Sequence, residues 1–387
     1  MKISILTSQY GHYWSGLGTY ATNLVNGLAG LGHKVTIISP AVSSQETPEG
    51  VKKVEVQGLP IKPTLGNWPI LSYYYAKTLK SVLKQESYNI IHFVDARESL
   101  FCSVKGIPVF GTMHDYYFSE ASANPLVYKR FYHDWVKRWA FYNLTKIFER
   151  KAVNKLSCLI SNTTYVANSM KNLYGVKEER VETVHLGVHP DTDKGAKKSP
   201  GLEGDPAMLF IGGNFQRKGL PFLVRAVSEL KKKLPHISLY VVGKDQQQGE
   251  IENLCAKHEV QGAVHFLGWK ENRQVRALLR GCDVFCMPSL IEGFGLVFLE
   301  AMESGIPVIG SKTGGVPELI QSGENGFLVP PEDWRGIAEK IELLYKNKDV
   351  RETVIKNGFS TVKKFSVEKM VLKTEALYRK VETRFSG

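Results

Sequence analysis

The chain has 387 residues, a hydrophobic content of 43% and a formal net charge of +12 at pH 7. This length exceeds what a single hydrophobic core usually serves, so we expect a globular protein of two domains rather than one, and its hydrophobic content argues against a disordered chain. The charge predicts attraction to an anionic partner, such as a phosphorylated metabolite, nucleic acid or an anionic membrane face, without choosing among them.

Two features of the sequence bear on its cellular setting. The five cysteines have no regular spacing, which argues against a disulfide framework and predicts reduced core residues. No apolar segment is long enough to span a bilayer, and the N-terminal segment lacks the pattern of a signal peptide. We therefore expect a soluble, cytoplasmic protein.

Strand-like apolar runs alternate with helix-like periodic runs along the whole chain. This alternation predicts an α/β protein with parallel sheets covered by helices on both faces. In the first half the predicted strands are "KISILT", "KVTIIS", "NIIHFV", "IPVFGTM" and "LSCLISN". In the second half they are "AMLFIGG", "ISLYVVG", "AVHFLGW", "CDVFCMPS" and "IPVIGS".

The pattern is interrupted once, at residues 190–206. This segment is rich in Gly, Pro, Lys and Asp and has no apolar periodicity, so it is predicted to be a linker. It separates two doubly wound domains, 1–189 and 207–365, and the helical tail 366–387 is expected to pack back on the first of them. Two such domains predict a ligand site in a cleft between them, at the carboxyl ends of their strands.

The first glycine-rich loop, Gly16-x-Gly18-x-x-Ala21, has the spacing of a dinucleotide fingerprint. In that fingerprint the glycines follow the first strand directly and an acidic residue ends the second strand. Here "SQYGHYW" intervenes, and the second strand ends in Ser39-Pro40. A nicotinamide or flavin site is therefore not expected. Two interpretations remain, a helix N-terminus that favours an anionic group and a tight turn before a helix.

The most informative segment is "MPSLIEGFGLVFLEAMESGIPVIGSKTGGVPELI", residues 287–320. Its Gly-Phe-Gly loop precedes a predicted helix, and backbone N–H groups of such a loop can hold a diphosphate. Glu300 is expected in the second turn of that helix, where it would accept paired sugar hydroxyls. Glu292 is expected at the end of the preceding strand, pointing into the cleft.

A second loop, in "FIGGNFQRKGL", carries Arg217 and Lys218 just before a predicted helix. Two adjacent cations at the carboxyl end of a strand are suited to neutralising a phosphate, with bidentate contacts from Arg and a point charge from Lys. Taken alone, such a pair is more typical of a solvated surface loop. Its functional interpretation depends on the glutamates and glycines downstream.

Together these segments resemble family 4 of the retaining glycosyltransferases, nucleotide-sugar enzymes of GT-B fold. The resemblance is most specific in the spaced glutamates, the Gly-Phe-Gly loop and "TGGVPE", and it extends over nearly the whole chain. The segments "SGLGTYATNLVNGLAGLGHKVTII", "GTMHDYYF", "VHLGVHP" and "FIGGNFQRKG" are similar to the family's opening loop and helix, its His-Asp segment, its strand before the linker and its phosphate-binding loop. The fold it implies is two Rossmann-like domains facing across a cleft.

The resemblance also implies roles for individual residues. Glu292 would contact hydroxyls of the donor sugar, Glu300 the nucleotide ribose, and Arg217 with Lys218 the diphosphate. His114 would lie beside the transferred sugar. Backbone groups would help to hold the diphosphate, and the residues that supply them are Gly16, Gly18, Gly293, Phe294, Gly295 and Leu296.

One of the predicted site positions, Gly213, departs from the family pattern, and another, Trp269, has two interpretations. Many members of the family carry Arg directly after the first glycine of the phosphate loop, and here that position is Gly213. The adjacent Arg217 and Lys218 resemble a subgroup variant, in which Lys218 is the firmer assignment. Trp269, in "LGWKE", occupies the segment that lines the nucleobase pocket and would either stack on the base or pack against the protein.

The activity that the resemblance implies is transfer of a hexose-type sugar from a UDP- or GDP-sugar to a hydroxyl of a glycan, glycolipid or small-molecule acceptor, with retention of anomeric configuration. The resemblance also implies front-face attack without a covalent intermediate, and neither a metal nor a cofactor is expected. Three alternatives are a nucleotide-sugar epimerase, a phosphorylase of similar architecture that uses pyridoxal phosphate, and a non-catalytic partner subunit. The complete set of Arg217, Lys218, Glu292 and Glu300 argues against the last of these.

A basic, aromatic stretch covers residues 126–155. It contains eight Lys or Arg and two acidic residues, with Trp135 and Trp139 among its aromatic residues. Such a helix can lie on an anionic bilayer, which would predict a lipid-linked or membrane glycan as the acceptor and peripheral contact with the inner face of the membrane. A helix packed by its aromatic face and solvated on its charged face has the same pattern. Nucleic acid is not expected, because no recognition motif is present.

Overall fold

The structure is a computed structural model that describes residues 1–11, 15–40, 47–56, 58–60, 67–114, 129, 135–189, 202–245 and 248–386. The chain divides into two compact units, with boundaries at Gly187/Val188 and at Ser366/Val367. The C-terminal residues after Ser366 belong to the first unit. Of the predicted linker, residues 202–206 belong to the second unit, where the backbone of Glu203 exchanges hydrogen bonds of 2.8 and 2.9 Å with the Tyr240 hydroxyl.

The first unit is built on a sheet of seven parallel strands. In chain order they are β1 (Lys2–Leu6), β2 (Lys34–Ser39), β3 (Val51–Glu55), β4 (Ile90–Phe93), β5 (Val109–Met113), β6 (Cys158–Ser161) and β7 (Val181–Thr183). Their order across the sheet is β3-β2-β1-β4-β5-β6-β7. The central strand β1 is buried on both faces and pairs Ile5 with Ile37 on one side and with His92 on the other. Burial on both faces explains why most of its residues are apolar.

Helices connect these strands. They are α1 (Gly16–Gly30), α2 (Trp68–Leu83), α3 (Trp135–Val153) and α4 (Thr164–Tyr174), with a 3₁₀ turn at Ala96–Ser99. Helix α1 begins where Ser15 caps it, because the Ser15 Oγ accepts a 2.9 Å hydrogen bond from the Gly18 amide. Helix α4 begins with the same kind of cap from Thr163 and ends at Gly175 in the left-handed conformation.

The second unit repeats the architecture with six parallel strands in the order β10-β9-β8-β11-β12-β13. The strands are β8 (Ala207–Ile211), β9 (Ser238–Val242), β10 (Val264–Gly268), β11 (Val284–Met287), β12 (Val308–Ser311) and β13 (Phe327–Val329). The helices are α5 (Leu220–Lys231), α6 (Gln248–Lys257), α7 (Asn272–Gly281), α8 (Leu296–Glu303), α9 (Val316–Leu319), α10 (Trp334–Lys346) and α11 (Lys348–Val362). A last helix, α12 (Val367–Ser386), returns to the first unit.

The predicted α/β class and the ten predicted strands are confirmed. Three strands were missed, and all three lie at the edge of a sheet. β3 has the lysine-rich sequence "VKKVE" and is only half-buried, while β7 and β13 have three residues each. An edge strand has one free side and can be short or polar, so its hydrophobic pattern is weak.

Helix α12 packs closely on helix α1. A Cβ placed on Gly27 would lie 2.4 Å from the Val371 Cγ2, so only glycine permits this approach of the two helices. Helix α12 also places Tyr378 in the core, where its hydroxyl is hydrogen bonded to the Nδ1 of His92. None of the helices in the described part of the chain combines the length and the apolar character needed to cross a membrane.

His92 lies at the centre of a buried polar chain. Its Nε2 is 2.8 Å from the Thr112 Oγ1, which in turn is 2.9 Å from the hydroxyl of Tyr20. Burial, with a smaller contribution from His114, lowers the pKa of His92 to about 3. The folded protein therefore holds this imidazole neutral over the range in which an unfolded chain would protonate it.

We expect this histidine to make the first unit sensitive to acid. Because the folded pKa lies below the unfolded value, its contribution to stability is complete above about pH 6.5 and is lost as the pH falls. Between pH 7 and pH 5 the loss should be about 2 kcal/mol. Urea unfolding of the wild type and of His92→Gln at both values is the measurement, and an equal pH dependence in the two proteins would contradict the assignment.

Candidate active site

In both sheets the strand order reverses beside the first strand. In the second unit β8 lies between β9 and β11, and the strand order reverses between β8 and β11. The loops that follow β8 and β11 therefore lie on either side of the point of reversal. Doubly wound sheets bind their ligands in the crevice that forms at such a point, outside the carboxyl ends of the strands. The two loops are residues 212–219 and 288–295, and they carry most of the predicted site residues.

Tight backbone packing holds these two loops together. Asn214 adopts a left-handed conformation (φ 54°), and its side chain accepts a 2.9 Å hydrogen bond from the Arg217 amide. Gly219 (φ 78°) begins helix α5 against the other loop, where a Cβ would lie 1.9 Å from the Pro288 carbonyl oxygen. The Leu290 amide donates to the Arg217 carbonyl at 2.8 Å.

The loops bring a cation and a carboxylate together. The Nζ of Lys218 donates to the Oε2 of Glu292, which also accepts from the Ser289 hydroxyl at 3.3 Å. The two charged side chains are only 14% and 11% exposed. Arg217 lies alongside, with its Nη1 3.2 Å from the Ile291 carbonyl oxygen. The two predicted cations, Arg217 and Lys218, therefore both lie close to the Glu292 carboxylate.

This arrangement controls the ionisation of Glu292. Burial acts to raise the pKa of its carboxyl group, but Lys218, Arg217 and the hydrogen bonds to it outweigh burial and hold the pKa below its usual value. Glu292 is therefore a carboxylate at neutral pH, and the ammonium of Lys218 is held at a defined position. A preorganised cation of this kind is suited to stabilising charge that develops on a phosphate.

The sequence predicted Glu292 at the end of strand β11, and this prediction is wrong. Strand β11 ends at Met287, and Glu292 lies in the loop that follows. Its carbonyl oxygen accepts from the Gly315 amide at 3.2 Å, and Gly314 (φ 55°) passes so close that a Cβ there would lie 1.8 Å from that oxygen. The position of Glu292 thus depends on the "TGG" turn after β12.

The Gly-Phe-Gly loop leads into helix α8 as predicted. Gly295 (φ 89°) is the N-cap residue, and Leu296 is the first residue of the helix. The ring of Phe294 is 3% exposed and packs edge-on against Phe365, so this side chain anchors the loop in the core. An anion bound at residues 293–296 would therefore contact backbone groups and not the Phe294 ring.

Glu300 lies in the second turn of α8 and is half-buried. Burial raises its pKa above the usual value, and Arg276 on helix α7 partly opposes this shift. Arg276 also contributes to lowering the pKa of His189, after burial. Sequence analysis missed Arg276, because "NRQVRALLRG" has the charge pattern of an ordinary surface helix.

Two predicted donor contacts lie at the ends of strands β8 and β10, which have β9 between them. Gly213 follows β8, and a Cβ there would meet the Lys244 carbonyl oxygen at 3.6 Å, an ordinary contact. Internal packing therefore does not require a glycine at this position. Trp269 follows β10 and is 48% exposed.

The remaining predicted residues lie in the first unit. Among the described residues, no atom lies within 4 Å of a Cβ placed at Gly16. The Gly18 amide is already bonded to Ser15, and a phosphate that used it would have to replace that bond. His114 follows β5, where its Nε2 is 3.0 Å from the Val94 carbonyl oxygen and its ring packs edge-on against Tyr20 at 4.8 Å between ring centroids.

An acidic cluster after β4 was also missed. Asp95 receives the Arg97 guanidinium through bonds of 2.7 to 3.1 Å, and Glu98 accepts from the Ser8 hydroxyl at 3.4 Å. Burial, reinforced by Asp95, raises the pKa of Glu98 well above its usual value. Its Oε2 is buried without a hydrogen-bond partner in the described part of the chain. The signal in the sequence was "DARES" directly after a buried strand.

The basic stretch is described from Trp135 onward, apart from the Tyr142 side chain; of residues 126–134, the structure describes only Lys129. From Trp135 it forms helix α3. Leu144, Ile147 and Phe148 are exposed on this helix, at 64%, 70% and 43%. Trp135 and Trp139 are half-buried.

Comparison with known proteins agrees with this architecture. Residues 14–192 match the family model "Glycosyltransferase Family 4", and residues 191–361 match "Glycosyl transferases group 1". A relative in Methanocaldococcus jannaschii, an uncharacterised glycosyltransferase, is 25% identical, and the alignment covers 98% of each chain.

Solved structures show the same fold. A sucrose-phosphate synthase from Thermosynechococcus elongatus superposes with a TM-score of 0.81 at 21% identity over 99% of both chains. Anabaena HepE in complex with UDP-glucose superposes with a TM-score of 0.73 at 20% identity, over 97% of this chain and 99% of HepE. At these identities the likeness supports the fold alone, whereas the two family models together span residues 14–361. The chain therefore belongs to the family 4, group 1 glycosyltransferases of GT-B fold, and it is a glycosyltransferase enzyme.

Proposed function

We propose that this enzyme moves a hexose-type sugar from a UDP- or GDP-sugar to a hydroxyl group, with retention of configuration and without a metal or cofactor. The observation that carries the proposal is the buried Lys218–Glu292 pair, with Arg217 beside it, at the point where the strand order reverses. The fold neighbour HepE has been solved with UDP-glucose, which supports a nucleotide-sugar donor.

In this mechanism the bond between C1 of the sugar and the β-phosphate oxygen breaks, and its electron pair goes to that oxygen. The acceptor oxygen forms its bond to C1 on the same face, and its proton passes to the departing phosphate oxygen. Lys218, Arg217 and the amides that begin α8 stabilise the charge on the phosphate, more strongly in the transition state than in the ground state. Glu292 holds sugar hydroxyls and remains ionised, while Glu300 accepts from the ribose.

In the same proposal the acceptor is a glycan or a lipid-linked glycan, reached at an anionic membrane face that residues 126–155 contact. Support comes from helix α3, which leaves Leu144 and Ile147 exposed on the same helix as the exposed Lys137 and Lys151. Apolar side chains beside cations are the pattern of a helix that lies in a membrane interface.

A thermal-shift screen against UDP, GDP, ADP and their sugar conjugates tests the donor. A ligand that binds only the folded state at 100 times its Kd stabilises it by about 2.7 kcal/mol. We expect one nucleotide series to raise the melting temperature and Glu300→Ala and Lys218→Ala to reduce that rise, whereas Lys257→Ala, an exposed lysine on α6, should not. No rise with any nucleotide in a folded protein would contradict the proposal.

The same screen tests metal independence. The linker contains Asp191 and Asp193, an Asp-x-Asp pair of the kind that can bind a metal, and both lie outside the described residues. We expect equal shifts in EDTA and in Mn²⁺, because in this proposal Lys218 and Arg217 neutralise the diphosphate. A donor shift that appears only with Mn²⁺ would show that a metal is required.

A further inference from the structure

A pocket of about 700 Å³ opens on the surface of the first unit. Helix α2 forms one wall, and residues 101–105, which follow the 3₁₀ turn, form the other. Leu79 and Cys102 make a buried apolar base, at 1% and 7% exposure. At the opening, Tyr73 and Phe101 are 55% and 51% exposed and contact each other edge-on, at 6.2 Å between ring centroids.

Three exposed lysines line the same pocket, and none of the described residues that line it is acidic. They are Lys77, Lys80 and Lys105. Within the described residues none of the three has a carboxylate partner or a side-chain hydrogen bond, although elsewhere on this unit Lys52 is paired with Glu86. The pocket is therefore cationic, and the charge is available to a ligand.

Helix α2 arranges these side chains in two zones. Ile70 and Tyr73 lie on its exposed face toward the N-terminus, and Lys77 and Lys80 continue that face at spacings of four and three residues. The opposite face is buried in the core through residues that include Leu71, Tyr75 and Val82. An apolar and aromatic zone beside a basic zone matches the boundary between acyl chains and phosphates in a bilayer.

We infer that this pocket binds the headgroup of an anionic phospholipid and so provides a membrane contact separate from helix α3. The phosphate lies among the three lysines, while the glycerol and the first part of an acyl chain contact Tyr73, Phe101 and the apolar base. Free phosphate would use only the lysines and would leave the apolar base and the aromatic pair exposed, which is why a lipid fits the pocket better. The inference concerns lipid binding and does not depend on the identity of the sugar donor.

The test is sedimentation of the full chain with vesicles of phosphatidylcholine, with or without phosphatidylglycerol, in the absence of nucleotide. We expect binding only to the vesicles that contain phosphatidylglycerol. Lys77→Gln/Lys80→Gln should lower the partition coefficient about 25-fold, since each lysine near an anionic surface contributes roughly fivefold. Tyr73→Ser/Phe101→Ser should also weaken binding, although it leaves the charge unchanged.

A matched control is Lys257→Gln/Lys356→Gln, which removes two exposed lysines of the second unit that have no side-chain partner among the described residues. It should bind within twofold of the wild type, and all variants should keep the wild-type melting temperature. If the control and pocket variants lost vesicle binding equally, the effect would be due to the net charge of the protein alone, and the inference would be overturned. A loss of binding confined to Lys137→Gln/Lys151→Gln on α3 would also overturn the inference. Complete release of the protein from the vesicles by millimolar inorganic phosphate at constant ionic strength would do the same.

Discussion

Replacing Lys218 by Met is expected to lower donor turnover by about 100- to 1,000-fold, the effect of removing one preorganised donor from a site of developing negative charge. Met keeps the long side chain that packs against Gly212, where a Cβ would come within 3.1 Å of the Lys218 Cγ, and removes only the charge. The measurement is release of nucleoside diphosphate from the donor that the thermal-shift screen identifies, with water as the acceptor. Lys257→Met is the control for loss of a lysine and should retain full turnover.

The same substitution should also destabilise the second unit. It leaves the Glu292 carboxylate largely buried without its main partner, which should cost about 3 kcal/mol of unfolding free energy. Adding Glu292→Gln removes the orphaned charge, so the double variant should recover stability but not turnover. Turnover of Lys218→Met within threefold of the wild type would rule out Lys218 as the cation that stabilises the leaving group.

Gly314→Ala is expected to lower the free energy of unfolding by about 3 kcal/mol, from two separate causes. A left-handed backbone costs a residue with a Cβ about 1 to 2 kcal/mol. The added Cβ would also lie 1.8 Å from the Glu292 carbonyl oxygen, so one of the two loops has to move, and overlap of this kind costs about 1 to 3 kcal/mol. Because the overlap is with Glu292, the thermal shift induced by the donor should fall as well.

Two other glycines of the second unit separate these causes. Gly323 has a φ of 86°, also left-handed, and a Cβ there would meet no atom within 4 Å, so Gly323→Ala should show the backbone cost alone. Gly262 lies in open space without a left-handed backbone, and Gly262→Ala should change stability by less than about 0.5 kcal/mol. Urea unfolding of the three variants is the measurement, and a Gly314 variant no less stable than the Gly323 variant would show that the contact with Glu292 is not tight.

The interior strands and the loops at their ends could be predicted because their signals are local. A strand buried on both faces must be largely apolar, as "KISIL" and "SLYVV" are, whatever the rest of the chain does. A helix that follows a Gly-Phe-Gly loop is equally local, and α8 begins at Leu296 for that reason. The edge strand β3, half polar and paired on one side, carried no comparable signal.

The sequence by itself determined the α/β alternation, the family, and the candidate site residues Lys218, Glu292 and Glu300. Only the tertiary structure decided that Lys218 and Glu292, 74 positions apart, form one buried pair, and that the side chain of Phe294 belongs to the core. It also decided that Tyr378 of the last helix reaches His92 in the first sheet. The physical reason is the same in each case: such contacts depend on how separate loops and helices pack against one another, and no local spacing of residues encodes that packing.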